Sequence, residues 1–248
     1  MLWKTKKTNK PVTLYQQITQ AKSENKALLA ILLDPDKIVW ETIGLLVSKI
    51  NASPASHIFV GGSLVLTTKT DELIARLKQD CNLPVILFPG NPSQVSGKAD
   101  AILFLSLISG RNPDFLIGHH VEAAPLIKKT GLEVIPTGYI LIGNDNTTAV
   151  STVSKTQPLP EDDIDYIVHT AQAGEMLGKK LIYLEAGSGA KSQVAEAVIK
   201  RVSENVQVPV IVGGGIRDKR GILRAYHAGA DLVVIGTAFE EDLNFFNQ

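Results

Sequence analysis

The chain has 248 residues, and its 25 basic residues are balanced by 25 acidic ones. This balance creates no overall field toward nucleic acid or an anionic membrane, so we expect no nucleic-acid partner and at most peripheral membrane contact. The single cysteine, Cys81, excludes an internal disulfide and fits a reducing, cytoplasmic environment. The length suits one domain over residues 1–248, with the basic cluster in residues 4–10 interpreted as a solvated arm.

Eight short apolar runs rich in β-forming residues follow one another along the chain, most of them separated by helical patterns. Their positions are 27–33, 57–60, 84–88, 100–105, 132–135, 181–184, 208–212 and 231–235. Near-continuous apolar runs are typical of parallel strands that are covered on both faces. Because only a short segment follows the last run, eight such strands favour a closed (β/α)8 TIM barrel. An open, doubly wound sheet is the alternative.

The first two runs end in polar residues that suit a cation. Asp34 directly follows the first run, and Ser63 follows the second run after two glycines. The carboxyl ends of barrel strands meet at the active face, so this carboxylate and hydroxyl are predicted to lie on neighbouring strands. Magnesium typically binds one or two carboxylates, waters and substrate phosphates, and we predict such a site here. Alternatively, Asp34 is only a turn or cap residue, and Asp36 is a second candidate for capping the following helix.

Two connections depart from the regular alternation of strand and helix. Residues 89–99 are too few and too rich in proline and glycine for a crossover helix, so the barrel is predicted to lack its third outer helix. That gap would leave part of the barrel wall less covered and would suit a long apolar ligand. Residues 137–160 are polar, and we predict a surface loop or lid there.

The sixth run leads into the sequence Tyr-Leu-Glu-Ala-Gly-Ser-Gly at residues 183–189. Alternation along a strand places Tyr183 and Glu185 on one face, which we take as the barrel interior. A carboxylate at this tip is well placed to act as a general base. The glycines and serine that follow offer N–H groups and a hydroxyl to a phosphate. The alternative is that Glu185 forms an ion pair with a neighbouring lysine or arginine.

Two glycine-rich strand ends lie near the C-terminus, within residues 208–217 and 229–238. Glycine has no β-carbon, so its backbone N–H groups can approach an anion closely. A helix N-terminus behind these groups adds a favourable partial positive charge. Two such turns at the end of a strand–helix series are typical of the phosphate site of a (β/α)8 barrel, and we predict a phosphorylated substrate. The alternative is that the glycines only form tight turns.

Together, these motifs resemble the geranylgeranylglyceryl phosphate synthase family, whose relatives include the bacterial PcrB proteins. The matching segments are 33–37, 60–63, 87–91, 183–190, 213–217 and 235–238. The chain differs from the PcrB branch at Leu32, where that branch has a lysine, and in its longer Glu-Ala-Gly-Ser-Gly turn. Both differences favour the geranylgeranyl branch of the family, in particular its larger second group.

The resemblance implies a fold and an activity. The fold would be a modified (β/α)8 barrel without the third helix. The activity would be the Mg2+-dependent transfer of a geranylgeranyl or other polyprenyl group from its diphosphate to the C3 hydroxyl of sn-glycerol 1-phosphate. The products would be an ether lipid precursor and pyrophosphate, and the enzyme would be a homo-oligomer, either a dimer or a hexamer.

The resemblance also assigns roles to residues of this sequence. Asp34 and Ser63 match the magnesium positions, and Glu185 and Tyr183 match the catalytic ones. The matches to the glycerol phosphate positions are Tyr183, Leu184, Glu185, Ala186, Gly187, Ser188, Gly189, Gly214, Gly215, Gly236 and Thr237. In the mechanism that we hypothesise, Glu185 accepts the proton of the attacking hydroxyl. The prenyl tail is expected in an apolar groove beside Leu103, Phe104 and Leu105, next to the missing helix.

Two other functions fit the phosphate-binding turns. A phosphosugar isomerase or lyase would require opposed acid and base residues on strands one and five. The fifth strand is predicted to end within residues 135–138, where no such side chain occurs. A non-catalytic phosphate-binding barrel is the second alternative, but it would not need Asp34, Ser63 and Glu185 together at one face.

Overall fold

The computed structural model of the chain describes residues 12–63, 65–143 and 148–246. Eight parallel strands form a closed barrel in which each strand pairs with its neighbours in chain order, and the last strand pairs with the first. The strands are β1 (Leu28–Leu33), β2 (His57–Val60), β3 (Val85–Leu87), β4 (Ala101–Leu107), β5 (Glu133–Leu141), β6 (Leu181–Glu185), β7 (Val210–Gly213) and β8 (Leu232–Ile235). Every strand overlaps one of the eight predicted runs, and the predicted (β/α)8 barrel is confirmed.

Most of the α-helices form a layer outside the strands and bury their apolar faces against them. The α-helices are α1 (Leu14–Ser23), α2 (Ile43–Asn51), α3 (Thr70–Asp80), α4 (His119–Ile127), α5 (Ala149–Ser154), α6 (Ile164–Met176), α7 (Glu196–Ser203), α8 (Lys219–His227) and α9 (Thr237–Glu241). Within the described ranges, no helix has the length and apolar character needed to cross a membrane.

The connection from β3 to β4 contains no α-helix. It contains only a short 3-10 turn, Pro92–Gln94, which begins where the Asn91 side chain accepts the Ser93 N–H at 2.9 Å. Proline at the first position of this turn and the nearby glycines do not support a longer helix. The prediction that the helix after the third strand is missing is therefore confirmed.

Strand β5 is longer than the sequence indicated. It continues through Pro136 to Leu141, so the predicted strand end and the predicted loop from residue 137 were wrong. Proline has no N–H to donate within a sheet. Pro136 nevertheless costs no hydrogen bond between β5 and β6, because the pairing of these two strands begins only at the next residue, Thr137. Helix α5 occupies another part of the expected lid, while residues 144–147 and the basic arm in residues 4–10 lie outside the described residues.

Helix α1 closes the amino end of the barrel. Its buried Leu14 and Ile18 join the same apolar cluster as the side chains inside the barrel. At its first turn, the Glu133 carboxylate accepts the N–H groups of Leu14 and Tyr15 at 2.6 and 2.9 Å. Glu133 begins β5, so this contact lies at the amino end of the strands. An active site inside this barrel must therefore open at the carboxyl end.

Candidate active site

The carboxyl ends of the strands surround a cavity of about 940 Å³. Most of the predicted site residues line it: Asp34, Ser63, Tyr183, Glu185, Ser188, Gly189, Gly214, Gly215, Gly236 and Thr237. Leu184 does not line the cavity, because its side chain packs in the outer apolar layer, and neither do Ala186 and Gly187. The structure thus brings together residues that are separated by up to about 200 positions in the sequence.

Glu185 lines this cavity and is only 5% exposed. Its carboxylate accepts the N–H of Gly187 at 2.7 Å and the hydroxyl groups of Tyr139 and Tyr183. None of the ion pairs among the described residues includes Glu185, so the alternative of an ion pair is not supported there. Burial raises the pKa of this carboxyl group to about 7, which suits a group that exchanges protons near neutrality.

Tyr139 on β5 was missed by the sequence analysis. Alternation from Ile135 through Thr137 would have placed it inside the barrel, but the strand was predicted to end too early. Its ring packs against that of Tyr183 with centroids 5.2 Å apart. Burial raises the pKa of both phenols, so they donate hydrogen bonds to Glu185 rather than ionise. Strand five therefore does carry a polar group in the cavity, and the prediction that it ends before such a side chain was wrong.

The first glycine turn needs its glycines for the conformation and packing of the chain itself. Gly214 and Gly215 have φ values of 79° and 66°, in the region that favours glycine. A β-carbon at Gly214 would overlap the Glu185 carboxylate and would lie 2.7 Å from the Gly187 nitrogen. This turn therefore needs glycine whether or not a phosphate binds there.

Gly236, in the second turn, is different. Its φ is −123°, and a β-carbon would make only ordinary contacts of 3.6 Å with Leu32. The local packing does not require glycine at this position. The absence of a side chain instead leaves open space on the cavity wall, which fits the close approach of a ligand.

Asp34 has two structural roles. Its Oδ1 accepts the Asp36 N–H at 3.1 Å and so begins a 3-10 turn, as the capping alternative proposed. Its other oxygen, Oδ2, faces Gly62. The distance from this oxygen to the position that a β-carbon on Gly62 would occupy is 3.4 Å. Asp36 does not cap a helix, because its carboxylate accepts the N–H groups of Leu66 and Thr67 at 2.8 Å.

The charges around the cavity include groups that the sequence analysis did not single out. Arg217, Lys219 and Arg220 line it. Lys37 also lines it and forms an ion pair of 3.0 Å with Glu240. In the part of the chain that the structure describes, no three His, Cys, Asp or Glu side chains are grouped around a metal position. Any cation beside Asp34 would thus have few protein ligands.

An apolar groove of about 100 Å³ adjoins the polar cavity. The two share Gly62, Ser63, Phe88, Tyr139 and Val150. The groove is lined by the predicted Leu103, Phe104 and Leu105 of β4, by residues of the helix-free connection, and by α4 and α5. A segment of an apolar chain can therefore lie in the groove while a polar group attached to it lies in the cavity.

Comparisons with known proteins agree with this geometry. Residues 19–247 match the model of the PcrB family. The geranylgeranylglyceryl phosphate synthase of Flavobacterium johnsoniae is 65% identical over 235 residues, which cover 95% of this chain and 97% of that protein. The synthase of Zunongwangia profunda is 52% identical, with coverage of 90% and 95%.

A solved structure is similar over nearly the same extent. It is the (S)-3-O-geranylgeranylglyceryl phosphate synthase of Thermoplasma acidophilum, in complex with its substrate sn-glycerol-1-phosphate. It is 33% identical, covers 95% of this chain and 94% of its own, and superposes with a TM-score of 0.88. The chain therefore belongs to the PcrB family, which includes the geranylgeranylglyceryl phosphate synthases.

Proposed function

We propose that this chain is a geranylgeranylglyceryl phosphate synthase. It transfers a geranylgeranyl or related polyprenyl group from its diphosphate to the C3 hydroxyl of sn-glycerol 1-phosphate and releases pyrophosphate. The observation that carries this proposal is the junction of two spaces at Tyr139, whose hydroxyl donates a hydrogen bond to Glu185. A polar cavity with glycine turns suits the phosphorylated acceptor, and an apolar groove opening from it suits the prenyl donor.

The acceptor is placed by its phosphate. Backbone N–H groups at Gly214, Gly215, Gly236 and Thr237 bind the phosphate oxygens, and the 188–189 segment lies on the same cavity wall. The Thermoplasma acidophilum relative, whose structure contains sn-glycerol-1-phosphate, supports this choice of acceptor. With its phosphate in the glycine turns, the acceptor extends its C3 hydroxyl toward the centre of the cavity.

Glu185 removes the proton from that hydroxyl as the new ether bond forms. Tyr139 and Tyr183 hold its carboxylate in place through their hydrogen bonds, and Gly187 holds it from the backbone. A group with a pKa of about 7 can accept this proton and later release it to water at neutral pH.

The donor diphosphate lies near Asp34 and Ser63, with Arg217 and Arg220 adding positive charge on the cavity wall. These two oxygen-bearing side chains fit Mg2+, which binds few carboxylates and retains waters and phosphate oxygens. When bound, Mg2+ neutralises charge on the departing diphosphate. The prenyl tail lies in the apolar groove, away from water.

Further parts of the proposal follow from the resemblance to the family. The enzyme is a single-domain, cytoplasmic homo-oligomer, either a dimer or a hexamer, and belongs to the larger second group of geranylgeranyl enzymes. Light scattering coupled to size-exclusion chromatography measures the oligomeric state directly. A monomer at micromolar concentration would contradict that part alone.

The activity is tested with radiolabelled sn-glycerol 1-phosphate, Mg2+ and prenyl diphosphates of several chain lengths. The expected result is label in the organic extract, highest with one preferred donor and absent when magnesium is chelated. Radiolabelled sn-glycerol 3-phosphate is the matched control. If label is extracted with no donor, or equally with both glycerol phosphates, the proposed activity is wrong.

A further inference from the structure

The connection that replaces the third helix contacts the turn formed by Gly61, Gly62 and Ser63. Gln94, in the 3-10 turn of this connection, is buried and only 5% exposed. Its side-chain Nε2 donates a hydrogen bond to the carbonyl oxygen of Gly62 at 3.0 Å. The buried side-chain amide of Gln94 thus binds the peptide group of Gly62, which lies 32 residues earlier in the chain.

The main chain of the same connection lies directly against this turn. A β-carbon on Gly90 would lie 2.5 Å from the carbonyl oxygens of both Gly62 and Ser63. A β-carbon on Gly61, whose φ is 147°, would overlap the carbonyl of Phe88. Glycine at both positions therefore allows the connection and the turn to come into direct backbone contact, which any side chain would prevent.

The opposite side of the turn faces β1. The Gly61 N–H donates to the Leu33 carbonyl at 3.1 Å, and Gly62 lies beside Oδ2 of Asp34. The carbonyl of Gly62 and the N–H of Ser63 belong to one planar, trans peptide group and point in opposite directions. Fixing the carbonyl toward Gln94 therefore fixes the direction of the Ser63 N–H, in the turn whose Gly62 lies beside Asp34.

We propose that Gln94 is a positioning residue for the donor diphosphate. This inference rests on the proposed function, because it concerns the part of the cavity assigned to diphosphate and magnesium. Gln94 itself does not line the cavity. It acts through Gly62, and the glycine turns that bind the acceptor lie on other strands and do not contact it.

The test compares Gln94→Met with wild type. Methionine keeps the length and apolar packing of the side chain but cannot donate to the Gly62 carbonyl. Ser93→Ala is the matched control, because it removes a hydrogen bond of 2.5 Å to Asn91 in the same turn and none to Gly62. Isothermal titration calorimetry measures the Kd of a non-reactive prenyl thiodiphosphate, with and without Mg2+, and the Kd of sn-glycerol 1-phosphate.

Without this hydrogen bond the turn must be ordered when the ligand binds, and a cost equal to one buried hydrogen bond weakens binding about five- to tenfold. For Gln94→Met, we expect this weakening for the prenyl thiodiphosphate in the presence of Mg2+, with the Kd of sn-glycerol 1-phosphate changed by less than about twofold. Ser93→Ala should bind both ligands as wild type does. If Gln94→Met is not folded by circular dichroism, Gln94→Leu, which also lacks the donor and adds no charge, replaces it.

The outcomes separate this inference from the proposed function. Wild type that fails to bind the prenyl thiodiphosphate would contradict the proposed function itself. Wild type that binds it, together with a folded Gln94 variant of equal affinity, would overturn the positioning role alone. A variant that weakens both ligands equally would also overturn that role, because it would indicate a general structural effect.

Discussion

Glu185 can perform its proposed role only when its carboxyl group is ionised. Its pKa is raised to about 7 by burial, so the active form is lost as the pH falls through 7. We predict that kcat/KM rises with pH up to about 7 and then levels off. The profile is measured from pH 5.5 to 8.5 at saturating magnesium, with a check that the protein stays folded throughout.

The Glu185→Gln variant removes the base and keeps the shape. We predict that kcat falls by about 10²–10⁴-fold, the range typical of a general base, while sn-glycerol 1-phosphate still binds. The acid limb of the pH profile should disappear from the residual rate. A variant that turns over normally, with the acid limb unchanged, would place the base elsewhere in the cavity.

Phosphate binding can be tested by substitution at Gly236, in the second glycine turn, but not at Gly214, in the first. At Gly236, alanine meets only ordinary contacts, so we predict a folded enzyme in which the new methyl group crowds the phosphate. The KM for sn-glycerol 1-phosphate should rise about tenfold or more, a loss equivalent to about one hydrogen bond to a charged group. The KM for the donor should stay nearly constant in steady-state assays.

At Gly214, alanine would overlap Glu185 and should lower kcat as well, so it is an unsuitable probe of phosphate binding alone. A Gly236→Ala variant that weakens only the donor would reverse the assignment of the two substrates.

Asp34→Asn tests the donor side. The amide oxygen can still accept the Asp36 N–H and keep the turn, but a neutral group binds a cation poorly. We predict a strong loss of turnover and a higher magnesium concentration at half-maximal rate. Ser63→Ala should have a smaller effect, since a water can replace the hydroxyl. Unchanged magnesium dependence in Asp34→Asn would contradict the metal site.

At the scale of the elements, the groove is formed because α4 and α5 stand beside a connection without a helix. Ala123 of α4 is buried and lines this groove of about 100 Å³. Phenylalanine there would fill part of the space for the tail. We predict that Ala123→Phe raises the KM of a 20-carbon donor at least tenfold, because several buried methylene groups lose their contacts, each worth about 0.8 kcal/mol.

A 10-carbon donor should be nearly unaffected in the same variant. Val121→Phe is the control, because Val121 lies on the same helix but is exposed and outside the groove. Equal effects on both donors would mean that the tail lies elsewhere.

Strand β5 illustrates where sequence patterns stop being sufficient for an element. Pro136 and Gly138 are poor strand residues, and they indicated an end to the strand. In the barrel, the side chains of Ile108 and Ile182 occupy the space that a side chain at Gly138 would need. Glycine is therefore required here for its small size and does not mark a turn. The continuation of β5 brings Tyr139 to Glu185, a contact between strands that local sequence does not encode.

At the scale of the whole molecule, the amino end of the barrel contributes to the stability of the fold and not to the proposed reaction. The Glu133 carboxylate holds the first turn of α1 through two charge-assisted hydrogen bonds. We predict that Glu133→Ala lowers the free energy of unfolding by about 2 kcal/mol, measured by urea denaturation. The kcat and both KM values should not change, because this end lies opposite the cavity.

Glu133→Gln, which keeps one acceptor oxygen, should be intermediate in stability. Altered kinetics in either variant would show that α1 is coupled to the active end of the barrel.

The sequence by itself determined the strand series, the missing helix, and most of the residues at the active end. These features depend on local patterns: apolar runs, the position of proline and glycine, and the rule that strand ends of a parallel barrel share one face. Only the tertiary structure decided which of these residues touch. Tyr139 contacts Glu185 between the neighbouring strands β5 and β6, and Gln94 contacts Gly62 between neighbouring connections. Such contacts depend on strand length and register, which closure of the whole barrel sets.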